Sequence, residues 1–539
     1  MNDFLEFCKN NRSLIALAGF LAFISFSAKL FLFTVGIDTD AFIADKTEIH
    51  NIWIGVGRWG LVLLQNFRQV YDPLYSTLIG LVFLVFSVLS WAFLISYFDP
   101  KKDKNTPLYA FGAVAVTSPI WAEFLHFSLM SAEIFLGIFI APFAVIALFE
   151  GFAQKSKKKI GVAVLLMTFL TCVYQSFSVL FVFGFAIGIL FMSQRKDFDK
   201  KLPLKIFIAL SVSLIIYQIA GELSIRLFSI ERLEYQSRMI LWDFATIKNA
   251  LLNIFGFVYI LTFAKIEPLH NLITAVFLDG RQGSYTVSTG MSVGDRIFEL
   301  STVFGSVVLL PLTAVFFVYV FRERKQINKF FYFSAAIIIP LSILLLAIFL
   351  ANKPPLRSLF MLPFVFGFLF YFVISRSKTK IAVQLFTVLA FAVSLHFSQI
   401  SSALFYSDSE RFRQDVFFAS QIDFKIREIA GNQSEGSAIA FIGKRESLKS
   451  SSFLRGEVLG FSQFEFGANG FFESSFSAIY FMQSLGMNYE LPDSAQMIKA
   501  RKAGEEMPVF PQNSSIRIVE GDDGIEFIIV KISQSVYRE

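Results

Sequence analysis

Apolar runs of about 20 residues recur through the first 400 positions of this chain, separated by short loops that alternate between strongly basic and not basic. A run of that length crosses about 30 Å of hydrocarbon as a helix. With 55% hydrophobic and only 17% charged residues among 539, the chain lacks the polar surface a soluble protein of this length needs. The sequence therefore predicts a polytopic α-helical membrane protein of about 11 transmembrane helices. The predicted spans are 13–34, 75–97, 108–121, 131–150, 160–174, 176–193, 206–227, 299–321, 330–350, 357–375 and 381–400. The first lacks a small-residue cleavage site and is expected to remain as an anchor.

Loop charge sets the sidedness. Lys101–Lys104, Lys155–Lys159, Arg195–Lys205, Arg322–Lys329 and Arg376–Lys380 are all basic and fall on one side of that count. The positive-inside rule places them, and the amino terminus, on the cytoplasmic side of the membrane. The net charge of +6 follows from these loops and calls for no nucleic acid. Residues 247–264 are apolar enough for a further span, which would break the charge alternation. The interval 228–298, with as many acidic as basic residues, is accordingly read as one long outer loop touching the membrane interface.

Two further breaks are informative. The apolar stretch 160–193 is too long for one helix, and Tyr174-Gln175-Ser176 reads as an outer turn. If that turn stops below the surface it leaves a cavity; the alternative is an ordinary polar hairpin tip. After Ile400 the composition becomes mixed, which divides the chain into a transmembrane domain, 1–400, and an extracytoplasmic (periplasmic) α/β domain, 401–539. Within the latter, 437–443 reads as a buried strand, 473–485 as a helix, and 516–532 as a hairpin around an Asp-Gly turn.

Chemistry-bearing residues gather at the predicted outer boundary. Asp38 and Asp40 lie just past the first span, where carboxylates are costly and suggest function. The alternative is that they cap a short interfacial helix starting near Ala41. Arg58, between Gly57 and Gly60, is a phosphate or sugar candidate, or else a headgroup contact in an aromatic belt with Trp53 and Trp59. Arg357, behind two prolines, can hold a phosphate bidentately, or simply snorkel to the interface. Glu123 and Glu133 flank the second outer turn and are supporting acids or solvated loop charges. His50, His126, His270 and His396 show no ligand spacing, and Cys8 and Cys172 suggest no disulfide framework. An Asp-x-Asp pair can bind a divalent metal, yet arginine alone can meet a singly charged phosphate, so no cofactor and no metal site are expected.

Taken in order, Gly36-Ile-Asp-Thr-Asp40, Gly57-Arg-Trp-Gly60, Tyr174-Gln175, Lys353-Pro-Pro-Leu-Arg-Ser358, Asp415, Met507-Pro-Val-Phe-Pro511 and Gly524-Ile-Glu-Phe-Ile-Ile-Val-Lys531 resemble the serotype-converting O-antigen glucosyltransferase II family. The resemblance implies a GT-C-type fold and an inverting or retaining glycosyltransferase. Its donor would be a polyprenyl-phosphate-linked sugar, with glucose the expected sugar, and its acceptor a lipid-linked glycan at the outer membrane face. With that reaction the acceptor hydroxyl must lose a proton, so Asp38 or Asp40 is expected as general base, and Arg58, Arg357, Tyr174 and Gln175 are expected at the donor, whose leaving phosphate needs a fixed cation. The rival readings are a lipid-linked oligosaccharide flippase or other transporter, and an O-antigen polymerase.

Overall fold

The computed structural model describes residues 2–67, 71–99, 105–233, 247–263, 304–323, 328–350, 354–431, 435–448, 453–468, 470–522 and 524–537. It separates into two compact units, Met1–Phe31 with His50–Ser402 and Leu32–Ile49 with Ala403–Glu539. The loop Lys101–Lys104, Lys353 and most of the interval 228–298 lie outside the described residues.

The first unit is helical, and the protein is a polytopic membrane protein. Among the described residues, the helices Arg12–Phe31, Pro73–Phe98, Ser131–Ala153, Leu202–Leu227, Lys329–Leu350 and Lys380–Ala430 are each long and apolar enough to cross a membrane. The pair Asn105–Thr117 and Ile120–His126, bent by 44°, would make a seventh. Phe177–Met192, Leu309–Arg322 and Met361–Arg376 are apolar but shorter. Residues 247–263 also form a helix, Ile247–Phe263.

Local chemistry explains several boundaries. Asp72 caps the helix that begins at Pro73, its side chain accepting the Tyr75 N–H, and proline at the first helical position has no N–H to strand. Ser156 caps Lys157–Val173 in the same way. In the interior, buried polar side chains are bonded between helices: Ser87 donates to the Phe135 carbonyl and the Trp91 indole to Ile138.

The second unit contains a three-stranded sheet in the order β1-β3-β2, with β1 Ile439–Ile442, β2 Ile516–Glu520 and β3 Glu526–Lys531. Strand β3 pairs in parallel with β1 and antiparallel with β2. Alternate side chains of a strand face opposite ways, so both faces of this sheet need cover. Ile439, Phe441, Ile528 and Val530 pack with Phe418, Ile422 and Ile426 of the long helix and with Ile479 and Met482 of the helix Ser475–Ser484. Ala440, Ile442, Phe527 and Ile529 meet Met497 and Ala500 of the helix Ser494–Glu505, which Asp493 and Gln496 start with a reciprocal capping box.

A cut near residue 400 misses one segment. Leu32–Ile49 belongs with the C-terminal residues: Phe33 meets Phe412 edge-on, the Val35 carbonyl accepts from Arg411, and the Tyr480 hydroxyl donates to Glu48. The last helix also outruns its predicted span, 381–400, extending from Lys380 to Ala430.

Candidate functional site

A cavity of about 700 Å³ lies within the first unit where several helices end. Its wall includes Gly55–Arg58, the Tyr174–Ser176 break between the helices Lys157–Val173 and Phe177–Met192, and Tyr217 and Gln218 of Leu202–Leu227. Arg232, Arg357 and Ser358 are also in its lining. Two glycines allow the close approach. Gly57 has φ +80 and a side chain there would meet the Tyr217 hydroxyl at 2.7 Å, while one at Gly60 would meet the Cys172 backbone at 3.0 Å.

Arg58 is held on two sides. Its guanidinium lies 4.3 Å from the Tyr174 ring centroid, and its Nε donates to Gln175 Oε1 at 3.2 Å. Gln175 is fixed in turn, its amide nitrogen donating to the Val56 carbonyl at 2.7 Å and to Tyr217 at 3.1 Å. The terminal nitrogens of Arg58 carry no hydrogen bond among the described residues, which leaves a planar two-pronged donor at the cavity. Arg357 sits on the turn Leu356–Ser358 after Pro354-Pro355, over the Phe127 ring at 4.9 Å. Arg232, at the exposed edge, pairs with Glu222 at 3.1 Å.

Trp53 is buried beside His50, and Trp59 packs edge-on against Phe169. Glu123 and Glu133 are buried in their helices rather than solvated, and neither lines the cavity.

The acidic pair lies in the second unit. Asp38 precedes the short helix Thr39–Ala44 with φ 65, a left-handed conformation that is strained for a non-glycine residue, and its side chain makes no capping bond. Capping therefore does not account for this aspartate. Asp40 is 2% exposed; Oδ1 accepts the Ala41 N–H at 2.8 Å and Oδ2 has no hydrogen bond among the described residues. Burial pushes the Asp40 carboxyl up to about 8; the Ala41 N–H opposes this, Asp38 adds to it, and Arg411 opposes it. A carboxyl so poised is protonated well above the usual carboxylate range and accepts a proton readily once ionised.

The four donor-side candidates Arg58, Tyr174, Gln175 and Arg357 thus line one cavity, and Asp38 and Asp40 share the other unit with Asp408, Arg411 and Asp415. Sequence reasoning overlooked Tyr217, Gln218 and Arg232, which carry no motif. It also overlooked Asp408 and Arg411, although Asp408, Arg411 and Asp415 recur at helical spacing. Among the described residues, no three His, Cys, Asp or Glu converge as metal ligands.

A family model described as Glucosyl transferase GtrII matches residues 27–374, a stretch that contains Asp38, Asp40, Arg58, Tyr174, Gln175 and Arg357. No curated protein and no solved structure matches the chain.

Proposed function

The chain belongs to the glucosyl transferase GtrII family, and on that premise we propose that it transfers glucose from a polyprenyl-phosphate carrier to a lipid-linked glycan such as O-antigen. The carrying observation is the cavity of about 700 Å³ with Arg58 held by Tyr174 and Gln175, and Arg357 in the same wall. A polyprenyl-phosphate sugar joins an apolar tail to a singly charged phosphodiester, and a stacked, two-pronged arginine recognises phosphate oxygens.

In this reading the acceptor hydroxyl gives its proton to Asp40 as its oxygen bonds the anomeric carbon. The bond from that carbon to the phosphate oxygen breaks, and the electron pair leaves on polyprenyl phosphate. Arg58 and Arg357 meet the charge that develops there. Asp38, held in a strained turn, is the neighbouring carboxylate that raises the Asp40 pKa. No step calls on a metal. The GT-C-like arrangement of 11 spans, the inner-membrane location and a periplasmic C-terminal domain belong to the same proposal and rest on the basic loops.

Two experiments test this reading. Membranes containing the protein, given radiolabelled polyprenyl-phosphate glucose and lipid-linked glycan, should form a new glycoside; a flippase would change only the sidedness of the label. A reporter active only outside the cytoplasm should give signal when fused after Glu539 and none when fused after Lys158. An inactive fusion at Glu539 would overturn the topology.

A further inference from the structure

Arg411 is among the largest fully buried side chains in the protein, 1% exposed on the long helix Lys380–Ala430. Its Nε and Nη2 donate to Asp408 Oδ1 at 3.2 and 2.6 Å, and Nη1 lies 3.6 Å from Asp415 Oδ2. Nη2 also donates to the Val35 carbonyl at 3.2 Å. Val35 adjoins Gly36, whose carbonyl accepts the N–H groups of Thr39 and Asp40 at 3.0 and 3.1 Å. The guanidinium therefore grips the root of the turn that presents Asp40.

Asp415 is held from the far side by the Ser462 hydroxyl at 2.6 Å, the Gln463 N–H at 2.9 Å and Arg445 at 3.9 Å. A neutral amide would suffice to bind one backbone carbonyl, and a buried ion is costly to keep. A cation, unlike an amide, also acts on Asp40 through space. We propose that Arg411 is a positioning residue for the general base: it ties the Val35–Asp40 turn to the long helix and, with its charge shared between Asp408 and Asp415, sets the potential at the Asp40 carboxyl. This rests on the reading of Asp40 as base.

Among the described residues, the charged and titratable groups around Asp40 are few. Its own segment supplies Asp38, Asp45, Lys46 and Glu48, and the helix Ser475–Ser484 supplies Tyr480. The long helix supplies Arg411 with Asp408 and Asp415. Among these, Arg411 is the cation that lowers the Asp40 pKa against burial and Asp38.

The test is the pH profile of kcat/KM for the full-length protein in membranes, with polyprenyl-phosphate glucose as donor. Arg411→Gln keeps a donor for Val35 but removes the positive charge, so the rising limb should move up by about one pH unit. Asp408→Asn frees more of the Arg411 charge to act on Asp40, so the limb should move down. Slower turnover with an unmoved limb in both variants would leave Arg411 a structural anchor only and overturn the proposal. If Arg411→Gln does not accumulate, Asp408→Asn decides alone: an unmoved or upward limb overturns it. Asp40→Asn is the control. Retained transfer in that variant would remove Asp40 as base; lost transfer together with an unmoved limb in the others would remove only the role of Arg411.

Discussion

Asp40→Asn should lower glucosyl transfer by about 10²–10⁴-fold, the usual cost of losing a general base, while the protein still inserts and still binds donor. A purely structural aspartate would behave differently. Losing a helix cap costs about 1 kcal/mol of stability, and at the helix Thr39–Ala44 the cap-position side chain makes no such bond. Asparagine keeps the size of Asp40 and can still accept from the Ala41 N–H, so the turn should persist. In the wild-type protein kcat/KM should rise with pH along a limb near 8, because burial disfavours the ionised carboxylate that must take the proton. The sign is fixed: a base held protonated below its pKa gains activity as pH climbs. An acidic limb near the ordinary carboxylate value, with normal turnover in Asp40→Asn at wild-type expression, would exclude Asp40 from the chemistry.

Arg58→Lys should raise the donor KM by about 10-fold or more, since a hydrogen bond to a charged group contributes about 1.5–3 kcal/mol and each 1.4 kcal/mol is tenfold. Lysine keeps the charge but loses the planar fork, the bond to Gln175 and the flat face against Tyr174. Arg357→Lys should weaken donor use in the same direction, losing its stack on Phe127. Donor KM unchanged in both variants would place the phosphate elsewhere. Because Arg58 reaches Gln175 and Tyr174 across more than a hundred residues of sequence, the folded state of each variant should be checked by detergent-extracted yield and thermal melting.

Of the eleven predicted spans, the long ones are legible in the sequence because a bilayer demands long uninterrupted apolar runs; six or seven described helices are of crossing length, and other predicted spans meet the shorter helices Phe177–Met192, Leu309–Arg322 and Met361–Arg376. The break at Tyr174–Ser176 is legible for the same reason: 160–193 is too long for one crossing, and the helices stop at Val173 and resume at Phe177. What the break lines is a tertiary matter. Arg58 meets Gln175 only in the folded chain, and Gly57 and Gly60 hint at the close approach without naming its partner.

The second unit is harder to read. The contact between Val35 and Arg411 joins residues 376 apart in sequence, and nothing local announces it. Asp408, Arg411 and Asp415 stand at helical spacing, yet the apolar run fades near Ile400 and hides the fact that one helix continues to Ala430. Glu123 and Glu133 mislead in the opposite direction: placed beside a predicted turn they read as solvated charges, and the fold buries both.

The most direct measurement uses the purified full-length protein in detergent, lipid-linked glycan as acceptor, and radiolabelled glucose presented either on polyprenyl phosphate or on a nucleotide. The expected result is a new glycoside from the lipid donor alone, at a rate that falls with Asp40→Asn. Equal or better transfer from the nucleotide sugar, or no glycoside from the lipid donor under conditions where the protein is folded, would contradict a polyprenyl-phosphate-dependent glucosyltransferase.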